Sequence, residues 1–294
     1  MEDGLFVSKA SVNLRDYPIR VMRIPSHDIR PPHRHEFQEL VLVLGGEGVH
    51  CFEGEEYPLA AGDTFVVLGD MWHGYPEVDH LSLINILYDL RRLNLPLADL
   101  GELPGYHALF NLEPQARRQQ KLRNHLRLPP EGLDEASRLV TALETELGSD
   151  QPGHHCLANA RLLELIVFLS RAYSQTAPAG SRTVDQLSKL LGHLERNYAK
   201  PINIKEMTRL AHMSETSLLR TFKQLTGHAP LEHLIHLRIA RAGQLLRQTE
   251  LPLSEIAERT GFYDANYLSR QFRQIVGVPP SEYRTRSSNN QPSP

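Results

Sequence analysis

Two groups of residues in this chain have the types and spacing to do chemistry. In "PPHRHEFQEL" His33 and His35 stand two apart, Glu39 follows four residues later, and "GDMWH" adds Trp72 and His73. Alternation along a strand puts His33 and His35 on one face. With Glu39 and His73 they would supply convergent imidazole and carboxylate groups. Such a set suits a small polar ligand, and it equally suits a divalent metal held by His33, His35, Glu39 and His73. The indole of Trp72 offers an apolar face to the C–H surface of a sugar, or packs as core. The second group is arginine-bearing and repeated. "MSETSLLRTFKQLTG" (Met213 to Gly227) and "FYDANYLSRQFRQIVG" (Phe262 to Gly277) share their apolar positions and closing glycine at an offset of 49 to 50 residues.

A helical period turns Leu218, Phe222 and Leu225 inward in the first copy, and Leu268, Phe272 and Ile275 in the second. The outer faces then carry Thr216, Leu219, Arg220 and Lys223, and Asn266, Ser269, Arg270 and Arg273. Arginine can donate two hydrogen bonds to guanine, asparagine can pair with adenine, and an exposed leucine can meet a thymine methyl. Lys223 and Arg273 are better suited to phosphates, which give affinity without sequence choice. Each copy reads as a helix, a tight turn and a second helix, with one extra residue in the turn of the second copy.

The elements that must position these groups fall in two parts. Residues 19 to 90 read as many short strands separated by glycine-bearing turns, which favours a barrel or sandwich. From Glu113 the period becomes helical in "PQARRQQKLRNHLRL", "GLDEASRLVTALETELG" and "HHCLANARLLELIVFLSRAY". In the last, Leu157, Ala160, Leu163, Val167 and Ser170 or Arg171 drift round a broad apolar face that must pack on the barrel or on a second subunit. "SQTAPAGSRT" (Ser174 to Thr183) reads as a linker. Beyond it helices are expected at 184–198, 203–210, 214–225, 230–248, 253–259, 265–275 and 280–285. The fold expected is therefore a two-domain α+β chain, with a β-barrel and supporting helices followed by an all-α domain of two helix-turn-helix subdomains. The ranges expected are 1–112 for the barrel, 113–173 for helical support and dimerisation, 174–183 for the linker, 184–286 for DNA binding and 287–294 for a disordered tail.

Charge follows the same division. Residues 1–181 hold 16 Lys/Arg against 25 Asp/Glu, whereas residues 182–294 hold 16 against 10. An acidic part joined to a basic one suggests that only the second meets a polyanion. No apolar run approaches a membrane span, and "MEDGLFVSK" has no apolar signal-peptide core. With only Cys51 and Cys156, a reducing compartment and a cytoplasmic location are expected.

The stretch from about 190 to 285, above all "RIARAGQLLRQTELPLSEIAERTGFYDANYLSRQFRQIVGVPPSEYR", resembles the DNA-binding domain of AraC-type transcription regulators. The resemblance implies two subdomains joined by a long helix, here Leu231 to Gln248, whose reading helices enter successive major grooves. It carries Thr216, Leu219, Arg220, Asn266, Ser269 and Arg270 over as base-facing residues. Two positions depart from the family: His212 replaces the usual glycine of the first turn, and Thr208 stands where alanine is common. The spacing of His33, His35, Glu39 and His73 resembles the cupin barrel, though Leu68 and Asp70 depart from its second motif. More narrowly, residues 20 to 90, with "NILY" (Asn85 to Tyr88), resemble the sensor domain of the L-rhamnose-responsive regulators. That implies a sugar effector, with L-rhamnose the leading candidate.

The reading that follows is a transcription regulator of the activator kind, no enzyme, with double-stranded promoter DNA, a small sugar, RNA polymerase and a second copy of the chain as partners. No cofactor is required, and a divalent metal in the barrel is the alternative occupant. The rival readings are a metal-dependent cupin enzyme fused to a DNA-binding domain, and a constitutive DNA-binding protein whose barrel only dimerises.

Overall fold

The computed structural model describes residues 5–7, 12, 14–93, 95, 97–119, 126–176 and 182–289. Contacts divide the chain into two compact units between Ser188 and Lys189.

The first unit is built on one eight-stranded sheet: β1 (Leu5–Val7), β2 (Ile19–Ile24), β3 (Arg30–His35), β4 (Gln38–Phe52), β5 (Glu55–Ala60), β6 (Asp63–Val67), β7 (His73–Tyr88) and β8 (Leu126–Arg127). β4 and β7 pair antiparallel along their whole length, but their register shifts between Val43 and Glu47. Before that bend, β4 pairs with β6 and the far half of β7 pairs with β2. After it, β4 pairs with β5 and the near half of β7 pairs with β3. The two long strands thus pass from one half-sheet to another, and the sheet rolls into a barrel-like shape. Bulges are the usual means of such a turn. Gly46 makes this one possible, because its φ is 74° and a Cβ there would lie 2.2 Å from the carbonyl oxygen of His80.

Inside the roll, Val41, Val43, Phe65, Val67 and Leu83 of one half meet Phe52, Tyr57, Leu59 and Tyr75 of the other. The first half is buried on both faces. Its outer side is covered by helices, which explains the unbroken burial of Glu39 to Val43 and of Asp63 to Val67.

Those helices are α1 (Leu97–Gly101), α2 (Pro104–Tyr106), a π-helical turn (His107–Leu112), α3 (Glu113–Arg118), α4 (Pro130–Leu147) and α5 (His154–Gln175). The helix expected over "PQARRQQKLRNHLRL" is realised only at its start as α3. Leu126 and Arg127 are instead a strand paired with Thr64 and Asp63, and the Arg127 guanidinium holds Asp63 through contacts of 2.8 and 3.0 Å. Residues 120–125 lie outside the described residues. On α5, Ala158, Leu162, Leu165, Ile166, Leu169 and Tyr173 are buried, while Leu157 and Ala160 are exposed and Leu163 and Val167 half-buried. The apolar face expected to pack is therefore the outward one.

The second unit is helical: α6 (Arg182–Asn197), which crosses the division, then α7 (Ile204–Ala211), α8 (Glu215–Thr226), α9 (Pro230–Gln248), α10 (Leu253–Arg259), α11 (Ala265–Val276) and α12 (Pro280–Asn289). α9 has Leu234 buried towards its start, and its later residues Ile239, Ala242 and Leu246 pack with Ile256, Phe262, Leu268 and Phe272. Of the linker expected at 174–183, the described ends belong to helices, α5 to Gln175 and α6 from Arg182, and of the tail expected from 287, residues 287–289 belong to α12. Among the described residues, no helix is long and apolar enough to cross a membrane.

Candidate functional site

In the second unit each helix pair is closed by local chemistry that the sequence spells out. Asn203 caps α7 by accepting the Glu206 N–H at 3.0 Å. Ser214 caps α8 by accepting the Ser217 N–H at 3.3 Å, and Asp264 caps α11 by accepting the Tyr267 N–H at 2.6 Å. Both second helices end on a glycine in the left-handed region, Gly227 at φ 85° and Gly277 at φ 87°. The turns between helices also agree. His212 takes φ 50° where the second copy has Gly261 at φ 78°. The next residue in each returns a hydrogen bond to its first helix, Met213 to Thr208 at 3.1 Å and Phe262 to Ala257 at 2.9 Å. The extra residue of the second turn is Tyr263, which is 95% exposed.

With Leu218, Phe222, Leu268 and Phe272 fully buried, the opposite faces of α8 and α11 stand in solvent. Thr216, Leu219, Arg220 and Lys223 are all exposed, as are Asn266, Arg270 and Arg273, while Ser269 is half-buried. Arg270 lies over the Tyr267 ring at 5.9 Å, which stiffens a long side chain without consuming its N–H donors.

Other arginines of the basic unit serve the fold. Arg238 donates to the carbonyls of Tyr198 and Lys200 at 2.8 Å each, Arg241 pairs with Glu195 at 2.6 Å, and Arg284 donates to the Leu251 carbonyl at 2.6 Å. The charge balance therefore overstates the cations available to a polyanion.

In the first unit the roll brings Glu39, at the start of β4, against side chains from the opposite half-sheet. His35 Nε2 lies 3.0 Å and His73 Nε2 3.4 Å from Glu39 Oε2. All three are buried. The second nitrogen of each ring also faces an oxygen: His35 Nδ1 is 2.8 Å from the Phe37 carbonyl, and His73 Nδ1 is 3.2 Å from that of Met71. A neutral imidazole has one N–H, so each ring is one proton short of satisfying both contacts. A bound cation, an added proton or the hydroxyl of a ligand makes up the difference. Burial by itself would raise the Glu39 carboxyl, but hydrogen bonds from His35 and His73 outweigh it and hold the group well below the usual carboxylate range.

His33 faces His73 across the strands, with ring centroids 4.2 Å apart. Burial, with the nearby charges of His73 and Arg30, takes it down to about 3. The donor atoms of His35, Glu39 and His73 lie within 4.8 Å of one another, and these three fit a metal ion. His33 is not in that set. Trp72 is not brought to the cluster either. Alternation sends it away from its neighbour His73, and it lies under the Arg34 guanidinium at 5.2 Å.

Sequence reasoning missed His50 and Tyr75. His50 lies between Phe65 and Tyr75, with tilted rings whose centroids are 4.6 and 5.2 Å away, and 6.0 Å from the His73 ring. The buried Tyr75 hydroxyl and the buried Asn85 side-chain oxygen have no hydrogen-bond partner among the described residues. Beneath them Arg117 lies over the Tyr57 ring at 5.8 Å and is held by Glu113 at 2.8 Å, which also accepts from the Tyr173 hydroxyl at 2.8 Å.

Comparison with known proteins matches an AraC-like ligand binding domain over residues 22–166 and a helix-turn-helix domain over residues 207–286. The chain is similar to the HTH-type transcriptional activator RhaR of Cronobacter sakazakii, with 34% identity over 86% of each chain. The RhaR activator of Pectobacterium carotovorum is 35% identical, over 88% of this chain and 87% of that one. Among solved structures, the DNA-binding domain of AdpA in complex with a target DNA is similar at 29% identity, covering 37% of this chain and 97% of that one, with a TM-score of 0.35.

Proposed function

Since the chain belongs to the AraC-type family of transcription regulators, we propose that it is a one-component switch in which a small sugar, bound inside the rolled sheet, changes how two reading helices occupy promoter DNA. The observation that carries this is the exposure of Arg220 and Arg270 at matching positions of α8 and α11, each backed by fully buried leucine and phenylalanine. Arg220 and Arg270 read guanine edges, Thr216, Leu219, Asn266 and Ser269 assist at neighbouring bases, and Lys223 and Arg273 hold phosphates.

The effector site takes His33, His35, Glu39 and His73, with His50, Tyr75 and Asn85 added and Trp72 left outside. The buried Tyr75 hydroxyl and Asn85 side-chain oxygen, without hydrogen-bond partners among the described residues, favour a ligand rich in hydroxyls, because unmet polar groups cost free energy that such a ligand recovers. The similarity of residues 20–90 to rhamnose-responsive sensors makes L-rhamnose the first sugar to try. The outward apolar face of α5, with Leu157 48% exposed, is the surface for a second copy. A cytoplasmic homodimer that recruits RNA polymerase fits relatives that are activators.

A thermal-shift screen of deoxy and pentose sugars against the full chain tests the effector reading, since selective binding stabilises the folded form. L-rhamnose or a close analogue is expected to raise the unfolding temperature, and Glu39→Gln to abolish the rise while DNA affinity holds. A sugar response unchanged in Glu39→Gln would remove the cluster from the site.

A further inference from the structure

The turn that leaves α8 and the first two turns of α9 align His228, Glu232 and His236. Residues four apart on a helix lie one above another. His228 Nδ1 stands 3.2 Å from Glu232 Oε1, and the His228 and His236 rings stack with centroids 4.3 Å apart. One donor atom from each of the three lies within 4.8 Å of the others. Glu232 is held in place: its second oxygen, Oε2, accepts the Ala229 N–H at 3.2 Å, while Oε1 stays directed at His228.

The second copy of the repeat provides an internal control. Fifty residues on, the same positions hold Val278, Glu282 and Arg286. There the glutamate pairs with the arginine in an ordinary exposed ion pair. The first copy keeps the carboxylate but surrounds it with two imidazoles in place of an apolar side chain and a guanidinium. A guanidinium cannot bind a cation, whereas imidazole is a common metal ligand.

We propose that His228, Glu232 and His236 form a binding site for a borderline divalent cation of the Zn²⁺ type, which clasps the turn between α8 and α9. Two imidazoles and one carboxylate suit zinc, nickel or copper better than calcium or magnesium. Tetrahedral zinc with bonds of about 2.0–2.1 Å keeps neighbouring donors roughly 3.3 Å apart. The His228–Glu232 pair already has that spacing, at 3.2 Å, and a His236 donor atom lies within 4.8 Å of both. His228 follows Gly227, the cap of α8, and its N–H and carbonyl both meet the Thr226 hydroxyl, at 3.4 and 3.2 Å. A cation here fixes the exit of one reading helix and has no counterpart at the other. The site itself does not depend on the effector reading.

The test is titration of the full-length chain with Zn²⁺ in a weakly chelating buffer, followed by calorimetry. Because the His35–Glu39–His73 cluster also fits a metal, the variants compared are His228→Ala/His236→Ala, His73→Ala and, as a control on α9, His233→Ala. The double variant is expected to lose one equivalent of Zn²⁺, or to bind it weaker by more than the roughly tenfold that loss of a supporting partner costs. His73→Ala and His233→Ala are expected to retain that equivalent. A double variant that binds as much Zn²⁺ as tightly as the unaltered chain overturns the proposal. So does a loss confined to His73→Ala.

Discussion

The two helix-turn-helix copies solve one problem with different residues, and the contrast separates what the fold needs from what a ligand needs. Inside, the copies are interchangeable: Leu218 and Phe222 match Leu268 and Phe272, all fully buried. At the turn they diverge. The second copy uses Gly261, packed so closely that a Cβ would lie 2.7 Å from the Ala199 carbonyl oxygen, and then admits Tyr263. The first reaches the same left-handed backbone with His212, whose side chain is exposed. On the outer face both keep arginine at one position, while the neighbours change from Thr216 and Leu219 to Asn266 and Ser269. A shared core with different faces is what two modules reading different bases require.

The largest expected effect tests the equivalence of the cores. Phe222→Ala and Phe272→Ala should each cost about 3–5 kcal/mol in urea unfolding, and a large disparity between them would mean that only one copy carries the stability of the unit. Next, the turns should part company. Gly261→Ala forces a methyl against backbone in a left-handed conformation and should cost about 1–3 kcal/mol. His212→Gly should instead gain about 1 kcal/mol by relieving the left-handed penalty, and equal responses to the two would remove the distinction drawn between them. Smallest are the caps: Ser214→Ala and Asp264→Ala should each cost about 1 kcal/mol. The shorter contact at Asp264 predicts the larger loss there, measured by the same unfolding series.

Legibility in the sequence followed how local each determinant is. The second unit could be read almost element by element, because caps such as Asn203, Ser214 and Asp264, closing glycines and the 3.6 period act within a dozen residues. The rolled sheet was legible as strands but not in which side chains its interior gathers. Counting by twos from Glu39 puts His50 on the outside. The register shifts between Val43 and Glu47 break that alternation, and His50 comes to face Phe65 and Tyr75. Trp72 shows the opposite error, since alternation with His73 already argued that the two could not share a face. The two-residue strand Leu126–Arg127 owes its form to β6, more than sixty residues earlier, and nothing near it in sequence announces that pairing.

The claim on which the account turns is that Arg220 and Arg270 read bases, one in each copy. Selection of binding sites from a random DNA library, with the unaltered chain and with Arg220→Ala and Arg270→Ala, tests it most directly. Each variant should lose about 1–3 kcal/mol on the selected site and lose its preference at one base pair, with the two affected positions roughly one helical turn, ~10 base pairs, apart. Uniform weakening on every sequence, with all base preferences kept, would mean that these arginines hold only phosphate, and the account would be contradicted.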